Sequence, residues 1–233
     1  MATSETFYAG WILHRRAYRN SSLIVDCYTE QHGRVGMVAR GGRKDPLLQP
    51  FRPLQFLFKG HGELKTLMRC EPAGPAIGIV GEGLYCGLYL NELLTRLLHR
   101  DDPSNSLLAL YAETLAGLAQ EPEGREVLLR NFEFRLLDTL GYGFSLQHDV
   151  EAEPISASAL YRLEPDQGLV MDARGEFSGE DLLALAVGDW RLPVRRTARN
   201  LMRRALAPHL GEKPLASREL FRGMKTTNRE KQT

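Results

Sequence analysis

The sequence predicts an α+β protein of more than one domain, in which a small amino-terminal β-barrel is followed by an all-α helical domain with a loop-rich insertion. Two observations predict this class. Residues 1–80 contain short runs of aromatic and β-branched residues joined by tight polar turns, which is typical of strands. Glycine and proline are frequent at about residues 72–83, and beyond them the apolar residues recur with a helical period. We therefore expect a barrel domain over residues 1–78 and a helical domain over residues 79–233, with the insertion at about 142–177.

Five strands are expected in the barrel domain. In one of them Val35, Met37 and Ala39 alternate with the residues between them, as expected of a strand with one buried face. Short strands that turn this tightly are typical of a small closed barrel such as the OB-fold, and counting strands leaves an SH3-like barrel as the alternative. The runs are TFYAGWILHRR (6–16), SSLIVDCYTE (21–30), RVGMVAR (34–40), LQFLFKG (54–60) and LKTLMRC (64–70).

Helices are expected on both sides of the insertion. The apolar residues of the first recur at the spacing of one helix face: Leu90, Leu93, Leu94, Leu97 and Leu98. A second helix begins at Pro103 or Ser104, and a third ends at Gly141. The insertion has no clear period, although YRLEPDQGLVMD resembles a small hairpin. Helices return at SGEDLLALAVGDW (178–190) and PVRRTARNLMRRALAPHL (193–210).

Charge is divided unevenly along the chain, although the net charge is only +1. Residues 1–80 contain 11 Lys and Arg against 6 Asp and Glu, residues 81–180 contain 7 against 18, and residues 181–233 contain 12 against 5. A basic head, an acidic middle and a basic tail indicate surfaces for different partners.

Composition argues against several classes of protein. We find no apolar run of about eighteen residues that could cross a membrane, and no secretory signal at the amino terminus. The cysteines, Cys27, Cys70 and Cys86, have the spacing of neither a disulfide framework nor a zinc site, which fits a cytoplasmic protein without a bound metal. The histidines are scattered and no nucleophile motif is present, so nothing in the sequence indicates an enzyme or a cofactor.

The turn Gly41–Gly42–Arg43–Lys44 raises two hypotheses. A nucleotide-binding P-loop needs G-x-x-x-x-G-K-[ST], and this turn has neither that spacing nor the hydroxyl. We favour a hairpin whose cations follow a sugar–phosphate backbone without reading its sequence, while nearby aromatic residues stack on bases. The cations that would edge this surface are Arg15, Arg16, Arg19, Arg34, Arg40, Arg43, Lys44, Lys59, Lys65 and Arg69.

A second basic element is expected near the carboxyl terminus. On a helix, Arg196, Arg199 and Arg203 form one ridge with Arg195 at its flank, and the opposite face is apolar. Residues 190–211 contain no Asp or Glu, so the ridge is not neutralised within its own helix. Two interpretations stay open: these four arginines bind phosphates or acidic peptides, or they pair with carboxylates of the acidic middle segment.

The layout resembles the RecO family of bacterial recombination and repair proteins. The resemblance rests on WILHRRAYRNSSLIVDCYTEQHGRVGMVARGGRK, LLQPFRPLQFLFKGHGELKTL, FEFRLLDTLGYG and KPLASRELFRGM, and it covers most of the chain. It implies an OB-fold followed by a helical domain, binding of single- and double-stranded DNA, and annealing of complementary strands. The DNA contacts that it implies are Arg15, Arg16, Arg34, Arg40, Arg43, Lys44 and Lys65 in the barrel, and Arg195, Arg196, Arg199 and Arg203 in the late helix. It also implies work with RecR and RecF, and indirectly with RecA. Many members carry four zinc-finger cysteines after LGY, but this chain has none there, so zinc binding is not expected.

The resemblance further implies docking of the acidic tail of the single-stranded-DNA-binding protein SSB. An apolar pocket edged by arginine would suit the phenylalanine and carboxylates of such a tail, and Arg125 and Arg130 are candidates by position alone. Two alternatives to a DNA mediator remain. One is a protein adaptor whose basic patches bind acidic peptides, and the other is an RNA-binding barrel, since OB-folds bind either nucleic acid.

Overall fold

The computed structural model describes residues 6–220 and divides into two compact units. Unit 1 comprises residues 1–122 together with 214–233, and unit 2 comprises residues 123–213. The first two helices are thus grouped with the barrel. The domain boundary that we expect between residues 78 and 79 stays a prediction, because compactness does not mark where the barrel itself ends.

The barrel of unit 1 has five strands, and its topology confirms the OB-fold. Its order is β1-β2-β3-β5-β4, closed by antiparallel pairing of β1 with β4. β3 and β5 are parallel, with Gly36 opposite Leu64, whereas the other neighbours are antiparallel. An SH3-like barrel, in which neighbouring strands are all antiparallel, would not contain this parallel pair. The strands are β1 (Tyr8–Tyr18), β2 (Ser22–Thr29), β3 (Gly33–Ala39), β4 (Leu54–Lys59) and β5 (Leu64–Pro72).

Alternate residues of the strands fill the barrel, as the sequence predicts for Val35, Met37 and Ala39. A bulge in β1 between Ile12 and His14 shifts the register by one residue. Beyond the bulge, Arg16 is therefore on the outer side of the barrel.

Two helices complete most of unit 1, α1 (Glu82–Leu97) and α2 (Asn105–Gln120). The predicted apolar face of α1 is buried. Asn91 of α1 donates to the Leu13 carbonyl of β1 at 2.9 Å and accepts from the Tyr111 hydroxyl at 2.6 Å. As predicted, α2 begins at Ser104, whose hydroxyl accepts from the Leu107 N–H. These bonds fix both helices against the outside of the barrel.

Residues 214–220 belong to unit 1 and are held by α1. Glu92 accepts from the Ala216 N–H at 3.0 Å, and from the N–H and hydroxyl of Ser217 at 2.9 and 2.7 Å. Arg96 pairs with Glu92 at 2.6 Å and donates to the Pro214 carbonyl at 2.7 Å. Burial alone would raise the pKa of Glu92, but the bonds from Ser217 and Ala216 and the charge of Arg96 outweigh it and lower that pKa. The rest of the KPLASRELFRGM stretch, from residue 221, lies outside the described residues.

We expect Glu92→Gln to lower the free energy of unfolding by about 1–2 kcal/mol at pH 7, because it weakens three hydrogen bonds to a carboxylate. The folded-state pKa of Glu92 lies below its ordinary 4.5, so the stability it contributes is present above pH 4.5 and is lost as the pH falls through that lower value. The difference between wild type and variant should therefore be smaller at a pH below 4.5 than at pH 7. Urea unfolding at both pH values measures it, with Glu113→Gln on the exposed side of α2 as the control. A difference that is independent of pH would contradict this account of Glu92.

Unit 2 contains three helices and a small sheet, and the strands of that sheet lie in or next to the insertion predicted at about 142–177. The hairpin predicted in the insertion is confirmed as β6 and β7, and β8 extends it to a sheet of order β7-β6-β8. β8 is only two residues long, too short to show a sequence period. Buried Tyr161, Leu169 and Phe177 hold the sheet by packing. The elements are α3 (Arg125–Thr139), β6 (Leu160–Glu164), β7 (Gly168–Met171), β8 (Phe177–Ser178), α4 (Gly179–Ala186) and α5 (Leu192–Leu206).

Candidate nucleic-acid interface

Two turns at one end of the barrel hold three of the seven predicted barrel contacts to DNA, Arg40, Arg43 and Lys44. The two turns are the β1–β2 turn, residues 19–21, and the turn after β3, residues 40–44, which we call the basic turns. The Arg43 N–H donates to the Ser21 carbonyl at 3.1 Å, and the Arg43 guanidinium donates to the Arg19 carbonyl at 2.7 Å. The basic turns, which are separated in sequence by β2 and β3, are therefore joined to each other by hydrogen bonds.

The two glycines of the second basic turn have structural roles. Gly41 has φ +69°, in the left-handed region that favours glycine. Gly42 is buried, and a Cβ there would lie 2.8 Å from the Leu48 side chain and 2.9 Å from that of Ala39. The N–H groups of Lys44 and Asp45 donate to the carbonyls of these glycines in a short 3-10 turn. These N–H groups are consequently not arranged as a phosphate cradle, in agreement with the rejection of a P-loop.

Several predicted cations are available to a ligand. Arg16, Arg40 and Lys44 are exposed and make no ion pair within residues 6–220. Lys65 is half-buried and also makes no ion pair in that range. Arg15 and Arg43 are exposed and donate to backbone carbonyls, which leaves their charge uncompensated. These are the side chains that could neutralise phosphates without first breaking an internal ion pair.

Arg34 is a correction to the expected set of free cations. Its guanidinium lies 3.5 Å from the Asp26 carboxylate and donates to the Leu98 carbonyl at 3.2 Å. Burial lowers the pKa of Arg34 and the Arg100 charge adds to this, whereas Asp26 opposes it. Arg100 shares the same Asp26 oxygen at 3.6 Å. We therefore leave Arg34 out of the candidate interface, since a phosphate would have to displace partners from a half-buried site.

The outer face of β2 and β3, where OB-folds bind oligonucleotides, is covered at one end. The connection between α1 and α2 lies on it: the Tyr28 hydroxyl donates to the Ser104 carbonyl at 3.0 Å, and the Asp101 N–H donates to the Arg34 carbonyl at 3.1 Å. Tyr28 is fully buried, and burial raises its pKa to about 12. A base could not stack on Tyr28 without removing this connection.

The other end of the same face leads to the basic turns. Arg16 of β1 is opposite Ile24 of β2, and Ile24 is opposite Val38 of β3. Arg40 directly follows the end of β3. The candidate interface is therefore this end of the face together with the basic turns.

Arg19, which the sequence groups with Arg15 and Arg16 at the end of the first strand, is not among the DNA contacts that the family resemblance implies. It is exposed, has φ +50°, and its guanidinium lies 5.1 Å from the centre of the Tyr18 ring. Its carbonyl accepts the bond from Arg43 that joins the basic turns. Proximity to Arg15 and Arg16 in the sequence was the available signal, but only the fold places Arg19 beside Arg43.

α5 of unit 2 has the predicted apolar and basic faces. Val194, Ala198, Leu201 and Ala205 are buried as expected. Pairing with the acidic middle segment is found for one of its four predicted arginines, and binding of phosphates or acidic peptides stays a prediction. Arg199 pairs with Glu126 of α3, and the Nε of Arg195 donates to the Trp190 carbonyl at 2.6 Å. Arg196 and Arg203 are exposed and have no ion-pair partner in the part of the chain that the structure describes.

Two family models match this chain: "Recombination protein O N terminal" over residues 1–76 and "Recombination protein O C terminal" over residues 81–219. The chain belongs to the RecO family. It is similar to the DNA repair protein RecO of Stutzerimonas stutzeri (strain A1501), with 48% identity over 226 residues that cover 94% of this chain and 95% of the relative. It is also similar to the DNA repair protein RecO of Pseudomonas putida (strain W619), with 50% identity over 220 residues, or 91% and 95% of the two chains.

Arg130 of this RecO-family chain is a correction to the expected SSB-tail site. Only 8% of Arg130 is exposed, and it pairs with the buried Glu133 at 2.8 Å. A guanidinium in this position does not reach a peptide carboxylate at the surface. Arg125, the half-buried first residue of α3, stays a prediction.

Residues 6–220 of this RecO-family chain contain no cluster of His, Cys, Asp or Glu that could hold a metal ion. Over the same range, none of the helices is both long enough and apolar enough to span a bilayer.

Proposed function

We propose that this RecO-family chain is a non-enzymatic mediator of DNA repair and recombination, which binds single- and double-stranded DNA and anneals complementary strands. With RecR and RecF, and on DNA coated by SSB, it promotes the loading of RecA, in the cytoplasm at the nucleoid. The observation that carries the proposal is the group of exposed cations Arg16, Arg40 and Lys44, which make no ion pair within residues 6–220 and lie at the end of the barrel that carries the basic turns.

The chemistry of annealing is consistent with such a surface. Two complementary strands repel each other through their phosphates, and a protein that neutralises part of that charge lets the bases pair. This requires no covalent step and no bound nucleotide. Contacts to phosphates also carry no sequence information, so the same surface serves any strand.

A second basic surface supports the annealing part of the proposal. α5 belongs to unit 2 and carries Arg196 and Arg203, whereas the basic turns belong to unit 1. Each unit thus has cations of its own with which to hold a strand. The acidic tail of SSB is the proposed protein ligand of the helical region. Arg125 remains its candidate contact, and Arg130 does not.

Annealing of SSB-coated complementary strands in the absence of ATP tests the proposed function. We expect the wild-type chain to accelerate annealing, and to do so less when SSB lacks its acidic tail. Fluorescence transfer between labelled strands measures the rate. The rate should fall steeply as salt rises, because phosphate contacts release counterions.

A protein adaptor would give a different result. An SSB-tail peptide would then displace all bound DNA from one shared site, and annealing of naked strands would not be accelerated. Stronger binding to an RNA of matched sequence than to DNA would favour the RNA-binding alternative.

A further inference from the structure

The basic ridge of α5 contains one arginine that is held by a carboxylate between two that are not. Arg199 donates through its Nε to Glu126 at 2.9 Å, and one of its terminal nitrogens contacts the same oxygen. Arg196 and Arg203, one turn before and one turn after, make no ion pair within the described residues. Glu126 lies in the first turn of α3 and not on α5, so the pairing depends on the fold of unit 2.

This ion pair is accessible to solvent. The Arg199 side chain is 51% exposed and that of Glu126 is 30% exposed. Exposed pairs of this kind contribute little to stability, and a competing anion can displace one partner at small cost. A second pair has the same character: Arg204 of α5 meets Glu176 at 2.8 Å, with both side chains more than 40% exposed.

The spacing of the two free arginines selects a particular class of anion. Arg196 and Arg203 are seven residues apart, which is about 10 Å along a helix. A single small anion does not reach both. A sugar–phosphate backbone that contacts both passes over Arg199, where its phosphates meet the guanidinium that Glu126 holds.

We propose that α5 is a nucleic-acid contact in which a bound phosphate backbone displaces Glu126 from Arg199. Glu126 lowers the positive charge of the ridge while no nucleic acid is present, and it leaves two arginines to begin binding. A dense line of phosphates then gains a third arginine. The inference rests on the proposed function, because it assumes that the chain binds DNA.

Glu126→Gln tests the inference, because it keeps the shape of the side chain and removes its charge. We expect the affinity for a single-stranded oligonucleotide to rise about threefold to tenfold, because binding no longer has to break the Glu126–Arg199 ion pair. The dependence of log K on log salt should stay the same, because Arg199 contacts a phosphate in both proteins. Glu151→Gln removes the same charge from an exposed site in unit 2 and should change the affinity less than twofold. Fluorescence anisotropy at several salt concentrations gives both quantities, and thermal unfolding verifies that each variant folds.

Substitution of Arg199 provides a second, independent measurement. Arg199→Ala alone should lower the affinity less than Arg196→Ala does. The reason is that Arg199 must give up its ion pair with Glu126 to bind a phosphate, so its phosphate contact contributes less net binding free energy. Added to Glu126→Gln, Arg199→Ala should abolish the gain in affinity. Persistence of that gain without Arg199 overturns the inference, and so does an equal effect of Glu126→Gln and Glu151→Gln. A gain for an acidic peptide but not for DNA also overturns it, since the ridge would then serve a protein.

The same measurements separate this inference from the proposed function. If the wild-type chain binds DNA through the basic turns and Glu126→Gln does not change the affinity, the inference is wrong and the proposed mediator function still holds. If the wild-type chain binds no DNA, both the inference and the proposed function are wrong.

Discussion

Replacement of Arg40 and Lys44 with alanine is expected to lower the affinity for single-stranded DNA about 10- to 100-fold at low salt, because each substitution removes one charge-assisted contact to a phosphate. Both side chains are exposed and have no ion-pair partner within residues 6–220, so the fold loses nothing when they are shortened. The loss should be the same for every DNA sequence. The salt dependence of log K should become shallower by about 1.4, from two lost phosphate contacts.

The control for this variant is a double substitution that removes the same charge elsewhere. Arg135 and Arg174 are exposed residues of unit 2, outside the basic turns and α5. Their replacement with alanine should change the affinity only through the long-range field of the protein, which salt screens over about 10 Å at 0.1 M. If both double variants lose affinity equally, net charge rather than the basic turns determines binding, and the proposed interface is wrong.

The parts of this interface that the sequence predicts are those that depend on local pattern. Alternation in the RVGMVAR run and the glycines that follow it predict a strand and then a turn, and cations in that turn are solvated at Arg40 and Lys44. The helical period of the α5 segment likewise predicts which of its faces is buried.

The parts that the sequence does not predict depend on residues far apart in the chain. Arg34 looks like any strand cation until the fold brings the Leu98 carbonyl to it from 64 residues away. Arg199 has no acidic neighbour on its own helix, and its partner Glu126 comes from 73 residues away. The chemistry of a guanidinium is local, but whether it is available is decided by packing. The residue types therefore predict that the site binds anions, and the fold determines which arginines are available to bind them.

The parallel pairing of β3 with β5 illustrates the same limit. Each strand is visible as a short alternating run, but nothing in either run specifies its neighbour or its direction. The order is fixed only when the barrel closes through β1 and β4.

Gly33→Ala is expected to lower the free energy of unfolding of unit 1 by about 2–4 kcal/mol, the sum of a left-handed backbone penalty and of overpacking. Gly33 has φ +57°, and a Cβ there would collide with the Asp102 carbonyl group and lie 2.8 Å from the Asp102 nitrogen. These atoms are backbone, in the connection that covers Tyr28, and they cannot move aside as a flexible side chain does. Urea unfolding followed by the fluorescence of buried Trp11, with Trp190 of unit 2 replaced by phenylalanine, measures the change.

Gly41→Ala isolates the backbone part of that cost. Gly41 has a similar φ of +69°, but nothing lies within 4 Å of a Cβ at that position. It should therefore lose only about 1 kcal/mol, the penalty for a non-glycine residue in the left-handed region. Equal losses in the two variants would mean that the α1–α2 connection yields freely, and that the covered end of the β2–β3 face opens easily to a ligand. A larger loss for Gly33→Ala means that this end is closed by packing, which leaves the end with the basic turns as the proposed interface.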